Sequence, residues 1–221
     1  MKADDLSGLA LIELHYGALY NIKGEGGKAI EHAQNSIKIC EERQFINVLG
    51  ITWWMSGWGY LLLGDLETAK NHMEKGFKIN SDAGRQSWMS GFYGTLSMIH
   101  FDSGNLPDAK KWAEKSIDFA VKHNEKGYEG CSKIWLGRIL VKADISKRSE
   151  AEKCIREGMK ILDDCKMRPF LTQGHLFLGE LYVAIGQRQR ALEHLEKARN
   201  EFQEMGMDYW LSKTQEVLTG L

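Results

Sequence analysis

The sequence predicts an all-α solenoid: about five helix–turn–helix repeats of 40 residues, closed by a C-terminal capping helix. Three observations predict it. GDLETAK at 64–70 returns as GNLPDAK at 104–110. Five segments align on that motif and share an alanine, at Ala29, Ala69, Ala109, Ala151 and Ala191, in steps of 40, 40, 42 and 40. No segment reads as a strand. Self-similarity at such a period marks stacked supersecondary units, none of which buries its apolar face alone.

The second helix of each repeat follows from the residues around its alanine. Four positions on stand Ala33, Met73, Ala113, Ile155 and Leu195, and seven positions on stand Ser36, Gly76, Ser116, Gly158 and Ala198. Offsets of 0, 4 and 7 share one helical stripe, and its small residues admit a neighbouring helix closely. The Gly or Ser ahead of the alanine signals the turn between helices. Pro107 falls in a first helical turn, where a missing N–H is harmless, and Pro169 after KMR opens another helix. The first helix repeats as well. Gly17, Gly57, Ser97 and Gly179 precede the alanine by 12 positions, and Gly137 joins them once two extra residues are placed in the loop KADISKRS. Three positions further come Tyr20, Tyr60, His100, Leu140 and Tyr182. The end, MDYWLSKTQEVL from Met207, keeps helical spacing at Tyr209, Leu211 and Val217 and reads as the cap. The expected organisation is one domain, with repeats over about 6–43, 45–82, 84–124, 125–165 and 168–205 and the cap over 207–221.

Composition narrows the function classes. The chain has 221 residues, 43% apolar, and a formal net charge of -1. That apolar share supports a core and excludes a disordered chain. The balanced charge gives no electrostatic footprint for nucleic acid or an anionic membrane. The start, MKADDL, places two acids where a secretory leader is positive. The longest apolar stretch, ITWWMSGWGYLLLG, is 14 residues, short of the roughly 20 that span a bilayer. The expected location is the cytoplasm. Cys40, Cys131, Cys154 and Cys165 form no CxxC and read as reduced core thiols.

These residues resemble tetratricopeptide repeats. The second copy has W-x2-S-G-x2-Y at Trp53, Ser56, Gly57 and Tyr60, and the fifth has Leu178, Gly179 and Tyr182 in register before Ala191. The resemblance covers essentially the whole chain and implies a right-handed superhelix. It departs from the family in its longer period and in lacking the closing proline. Those departures, and the tail EFQEMGMDYWLSKTQEVL, are similar to arrays at the C-terminal end of bacterial signalling proteins. Class III nucleotide cyclases with an ATPase module and maltose-activator-type regulators carry such arrays. No GxxxxGK[ST] phosphate loop or paired-Asp metal motif accompanies it here. The resemblance therefore implies a non-catalytic protein–protein interaction module in signalling, with a protein or peptide partner. Self-association, or docking on a larger regulator, is the alternative.

In tetratricopeptide folds one stripe of each first helix lines the concave groove. Here that stripe holds Ile51, Trp54, Trp58 and Leu61 in the second repeat, Met98 and Phe101 in the third, and Ile134 and Arg138 in the fourth. Two readings stand side by side. The stripe is an apolar groove with aromatic anchors for a partner helix or peptide, or it is buried core in a tightly wound array. Groove slots that hold Lys, Asn and Arg in chaperone-tail adaptors are Leu14 and Ala18 in the first repeat, which points away from a carboxylate clamp. His32, His72 and His194 each follow the repeat alanine by three, a coincidence the repeat itself explains, so no metal site is expected. Adjacent carboxylates, Glu41–Glu42 and Asp163–Asp164, point about 100° apart on a helix and do not face one substrate. No catalytic set and no cofactor is expected.

Overall fold

The computed structural model describes residues 3–221, with side chains from Leu6 onward. Positions 1 and 2 of the start MKADDL lie outside the described residues, and so do the side chains of positions 3–5. Eleven α-helices and no strand occur among the described residues. They pair as hairpins: α1 (Ala3–Lys23) with α2 (Gly26–Arg43), α3 (Ile46–Leu62) with α4 (Leu66–Asp82), and α5 (Met89–Asp102) with α6 (Leu106–Lys122). The pairs α7 (Lys126–Ala143) with α8 (Arg148–Asp164) and α9 (Arg168–Ala184) with α10 (Arg188–Glu204) follow, and α11 (Asp208–Thr219) ends the chain. The all-α repeat fold expected from the sequence is present.

The turns explain the even spacing. Within hairpins Gly24, Gly64, Gly104 and Gly186 take positive φ, from 73 to 85°. Between hairpins Gln44, Gly84, Asn124, Lys166 and Gly206 do the same. A left-handed residue thus ends nearly every helix, satisfying the carbonyls of its last turn. Asp65 and Asn105 open α4 and α6 by accepting from the backbone N–H of Thr68 and Asp108. The fourth hairpin differs: its two extra residues are taken up in a loop with a short three-residue 3-10 turn, Ile145–Lys147, begun by Asp144 accepting from the Ser146 N–H.

Close helix contact within a hairpin uses the small residue of the first helix. A Cβ on Gly57 would stand 3.0 Å from the carbonyl oxygen of Ala69, and one on Gly137 would stand 2.6 Å from that of Ala151. In the third hairpin Ser97 holds the same slot and donates its hydroxyl to the carbonyl of Ala109 at 2.8 Å. The repeat alanine and its partner 12 or 14 positions earlier are therefore one contact repeated along the chain.

The chain forms two compact units, residues 1–95 and 96–221, and the division falls inside α5. The first unit buries Trp54, Met55, Met73 and Phe92. The second has a core cluster of Ala109, Ala113, Leu136, Ile139, Leu140 and Ala151, bordered by Phe101, Ile117, Val141 and Cys154. No described helix is long and apolar enough to cross a membrane. The cysteines are free, but only Cys40 is buried; Cys165 is exposed, because it lies just past the end of α8, where the chain turns. The expectation of four core thiols is corrected on that point.

Candidate functional site

The predicted stripe divides into buried and accessible members. Trp54 is 2% exposed, Leu61 4% and Ile134 0%. These three are corrected from groove to core, and for Trp54 and Ile134 small residues across from them are the physical reason. In the first unit α5 offers Gly91 to the Trp54 ring, where a Cβ would approach within 2.1 Å. The indole slides over that glycine, packs against Phe92 at 5.2 Å between ring centroids, and donates Nε1–H to Thr95 Oγ1 at 2.8 Å. In the second unit Ile134 fits between Gly158 and Gly174, whose Cβ positions would lie 2.8 and 3.6 Å from its Cγ2. Ile51, Trp58, Met98, Phe101 and Arg138 remain half-buried. The buried Trp58 Nε1 has no hydrogen-bond partner.

The structure brings two of the predicted residues together, Phe101 and Arg138, on one face of the second unit. The Arg138 guanidinium carbon lies 4.9 Å from the Phe101 ring centroid, 5.1 Å from that of Trp135 and 4.5 Å from that of Phe177. The rings lock one another edge to face, Phe101 on Trp135 at 5.8 Å and Trp135 on Phe177 at 5.0 Å. Glu180 accepts two bonds from Arg138, from Nε at 2.7 Å and Nη2 at 2.8 Å. A planar guanidinium held by a carboxylate fork and three rings has one orientation. Its remaining N–H groups have no further hydrogen-bonded acceptor among the described residues.

Other ionisable groups face the same region. Asp102, at the end of α5, is accessible, yet the protein crowded around it raises its carboxyl above the usual carboxylate range, against the pull of Arg138 and Lys213. Burial likewise raises the Tyr209 hydroxyl, and Asp102 adds to that while Lys213 and Arg138 oppose it. The face thus combines a fixed guanidinium, an accessible Phe101 edge, a crowded carboxyl and the phenol and ammonium of α11. It can bind carbonyls, carboxylates and apolar edges. No group of three or more His, Cys, Asp or Glu side chains able to hold a metal occurs among the described residues.

Sequence reasoning missed Glu180, Asp102, Tyr209 and Lys213. Glu180 carried a signal: it follows Gly179 as Arg138 follows Gly137, so the two occupy one slot in successive repeats with opposite charge. Extending the stripe to the fifth repeat finds that pair. Tyr209 and Lys213 carried none, since the cap lies outside the repeat.

The three repeat histidines are explained by packing. His32 stacks on Tyr20 at 5.3 Å, His72 meets Tyr60 edge-on at 4.9 Å, and His194 stacks on Tyr182 at 5.5 Å. In the fifth repeat His175 Nδ1 and His194 Nδ1 are 2.8 Å apart. Burial pulls His175 down to about 3 and lowers His194 as well.

With this geometry in hand, comparison with known proteins bears on the fold. Residues 52–82 match the tetratricopeptide repeat family. No curated protein matches the chain. Among solved structures, a Rap protein complexed with Competence and Sporulation Factor is similar over 98% of this chain and 64% of its own, at 13% identity and a TM-score of 0.69. The apo form of RapI is similar over 96% of this chain and 84% of its own, at 11% identity and a TM-score of 0.63. A kinesin light chain from Podosopora anserina with nearly identical TPR-like repeats is similar over 88% of this chain and 94% of its own, at 18% identity and a TM-score of 0.56. At these identities the likeness is one of fold.

Proposed function

We propose that the chain is a non-catalytic protein–protein interaction module that holds a segment of a partner protein against the Arg138 face of its second unit. The observation that carries this reading is the guanidinium itself, fixed by Glu180 and three rings, with 21% of the side chain left accessible. A side chain so restrained gives up little entropy when it meets a ligand. Arginine and aromatic residues also dominate the energetics of protein interfaces. The bound segment, a peptide or a helix, lays an apolar side on Met98 and Phe101 and offers a carbonyl or carboxylate to Arg138. The Rap structure with Competence and Sporulation Factor supports the reading only in that a protein of similar fold is complexed with a factor. The cytoplasm and bacterial signalling, as in the cyclase-associated and maltose-activator-type arrays, are the setting the sequence resemblance supports.

Capture from a lysate of the source cells tests it. Wild type is compared with an Arg138→Gln/Glu180→Gln variant, which removes both charges together and leaves neither buried alone. Circular dichroism first establishes equal folding. A protein retained by wild type and lost by the variant supports the face as the site. Equal capture by both moves the site elsewhere.

One observation favours a second reading, self-association. Ile12, Tyr16 and Leu19 of α1 are 53%, 48% and 49% exposed, and they form one helical stripe. The same slots of α9, Gly174, Leu178 and Leu181, are buried. A docking surface for another helix has this composition.

A further inference from the structure

A cavity of about 470 Å³ opens in the first unit between α2, α3 and α4. Trp53, Tyr60 and His72 line it from α3 and α4, and Glu41 and Glu42 line it from α2. The repeat shows what belongs there. Tyr20, Tyr60 and Tyr182 occupy one slot of their first helices, and each is followed by a histidine 12 positions on. Eight positions after the tyrosine stand Lys28, Thr68 and Arg190. In the first repeat the Lys28 ammonium lies over the Tyr20 ring, 5.1 Å from its centroid. In the fifth the Arg190 guanidinium lies over the Tyr182 ring at 4.0 Å. Twice, then, the chain covers this tyrosine with its own cation. In the second repeat the residue in that register is Thr68, which carries no charge, and the cavity lies beside Tyr60.

The surroundings suit the same occupant. In the fifth repeat Glu152 accompanies the cation, paired with Arg190 and Arg156 and accepting from the Tyr182 hydroxyl at 2.7 Å. The equivalents of Glu152 and Arg156 by repeat register are Ile30 and Gln34, so that network is missing around Tyr60. Carboxylates come instead from Glu41 and Glu42 at the cavity wall. The wall already attracts an ammonium: Lys75 Nζ lies 3.5 Å from the Trp53 ring centroid and 3.6 Å from Glu41 Oε1. Glu42 makes no ion pair among the described residues. Lys38 also lines the cavity, so with Lys75 the two lysines balance the two glutamates. Selection therefore rests on the ring faces, whose negative quadrupole favours a cation over an anion.

We propose that this cavity is a binding site for an organic cation, the guanidinium or ammonium of a partner's Arg or Lys side chain, seated against the Tyr60 ring beside His72 and Gln34. It stands in for the cation that Thr68 fails to supply. The site is independent of the Arg138 face, and either stands if the other falls.

Nuclear magnetic resonance titration with N-acetyl-arginine amide tests it, with N-acetyl-glutamine amide as the uncharged control. A saturable shift of the Tyr60 ring and Trp53 indole signals is expected, with Kd on the order of 1 mM for so small a ligand. The Thr68→Arg variant supplies the cation internally, as Arg190 does, and is expected to abolish that shift while keeping the wild-type circular dichroism. No saturable shift at these rings, an equal response to the uncharged control, or undiminished binding by Thr68→Arg each overturns the proposal.

Discussion

Trp54 illustrates how one residue decides between interface and core. Its indole rests on Gly91 and Phe92 and donates to Thr95, so truncation leaves a cavity and not a missing contact surface. Trp54→Ala is expected to cost about 3–5 kcal/mol of stability, read as a fall in the denaturant midpoint. A loss below about 1 kcal/mol would return the residue to the surface. At the same scale, His175 sets an acid limit. Its folded pKa lies at about 3 because burial disfavours the imidazolium, with Lys197 and His194 adding to the effect. In the unfolded chain a histidine titrates near 6.5. Between those values the unfolded state binds a proton that the folded state refuses, so stability falls as pH drops through that window. The slope reaches about 1.4 kcal/mol per pH unit for one such histidine. Urea midpoints from pH 7 to pH 4 check the trend, and His175→Gln is expected to flatten it.

Elements were the most legible level. The spacing of Ala29, Ala69, Ala109, Ala151 and Ala191 located five second helices, and the residue 12 or 14 positions earlier located the first helix that each one touches. Even the irregular loop at KADISKRS was placed, because two surplus residues had to leave the helical register and did so in a loop with a 3-10 turn. What periodicity does not carry is which stripe meets solvent. Trp54 and Trp58 lie four apart on one face of α3, yet Trp54, which rests over Gly91, is buried and Trp58 is half-buried. That depends on Gly91, nearly one repeat away, and no local pattern reports it. Arg138 was legible as a stripe residue and its partner Glu180 as the next repeat's copy, whereas α11 contributes Tyr209 and Lys213 from outside the repeat. The turns give an element-scale prediction. Lys166 is exposed and holds φ 58° at a position where two of the other inter-hairpin turns use glycine. A side chain in that conformation costs about 1 kcal/mol. Lys166→Gly keeps the backbone bonds from Lys166 to Asp163 and from Met167 to Leu162. It is expected to raise the melting temperature by about 2–4 °C.

For the molecule as a whole, the repeat itself says which surface is anomalous. In α3 the slots equivalent to Ile12 and Tyr16 are Thr52 and Ser56, fully buried, and Thr52 meets Ser36 of the preceding hairpin at 3.3 Å. In α9 Gly174 meets Met159 of α8 in the same way. A first helix thus normally packs this stripe on the second helix before it, and α1 carries larger apolar residues there, in the open. A 21-residue helix is about 31 Å long. One such seam buries less than the roughly 800 Å² per partner of a standard stable complex, so self-association through it is expected to be weak. Sedimentation velocity across a hundredfold range of concentration then shows a mass that rises at the high end. Ile12→Glu/Leu19→Glu changes exposed positions, leaves the melting temperature near that of wild type, and is expected to hold the chain monomeric throughout. A wild-type mass that stays monomeric at the highest concentration removes the self-association reading and leaves α1 open to a different protein. A concentration-dependent mass that persists in the double variant places the contact on another face.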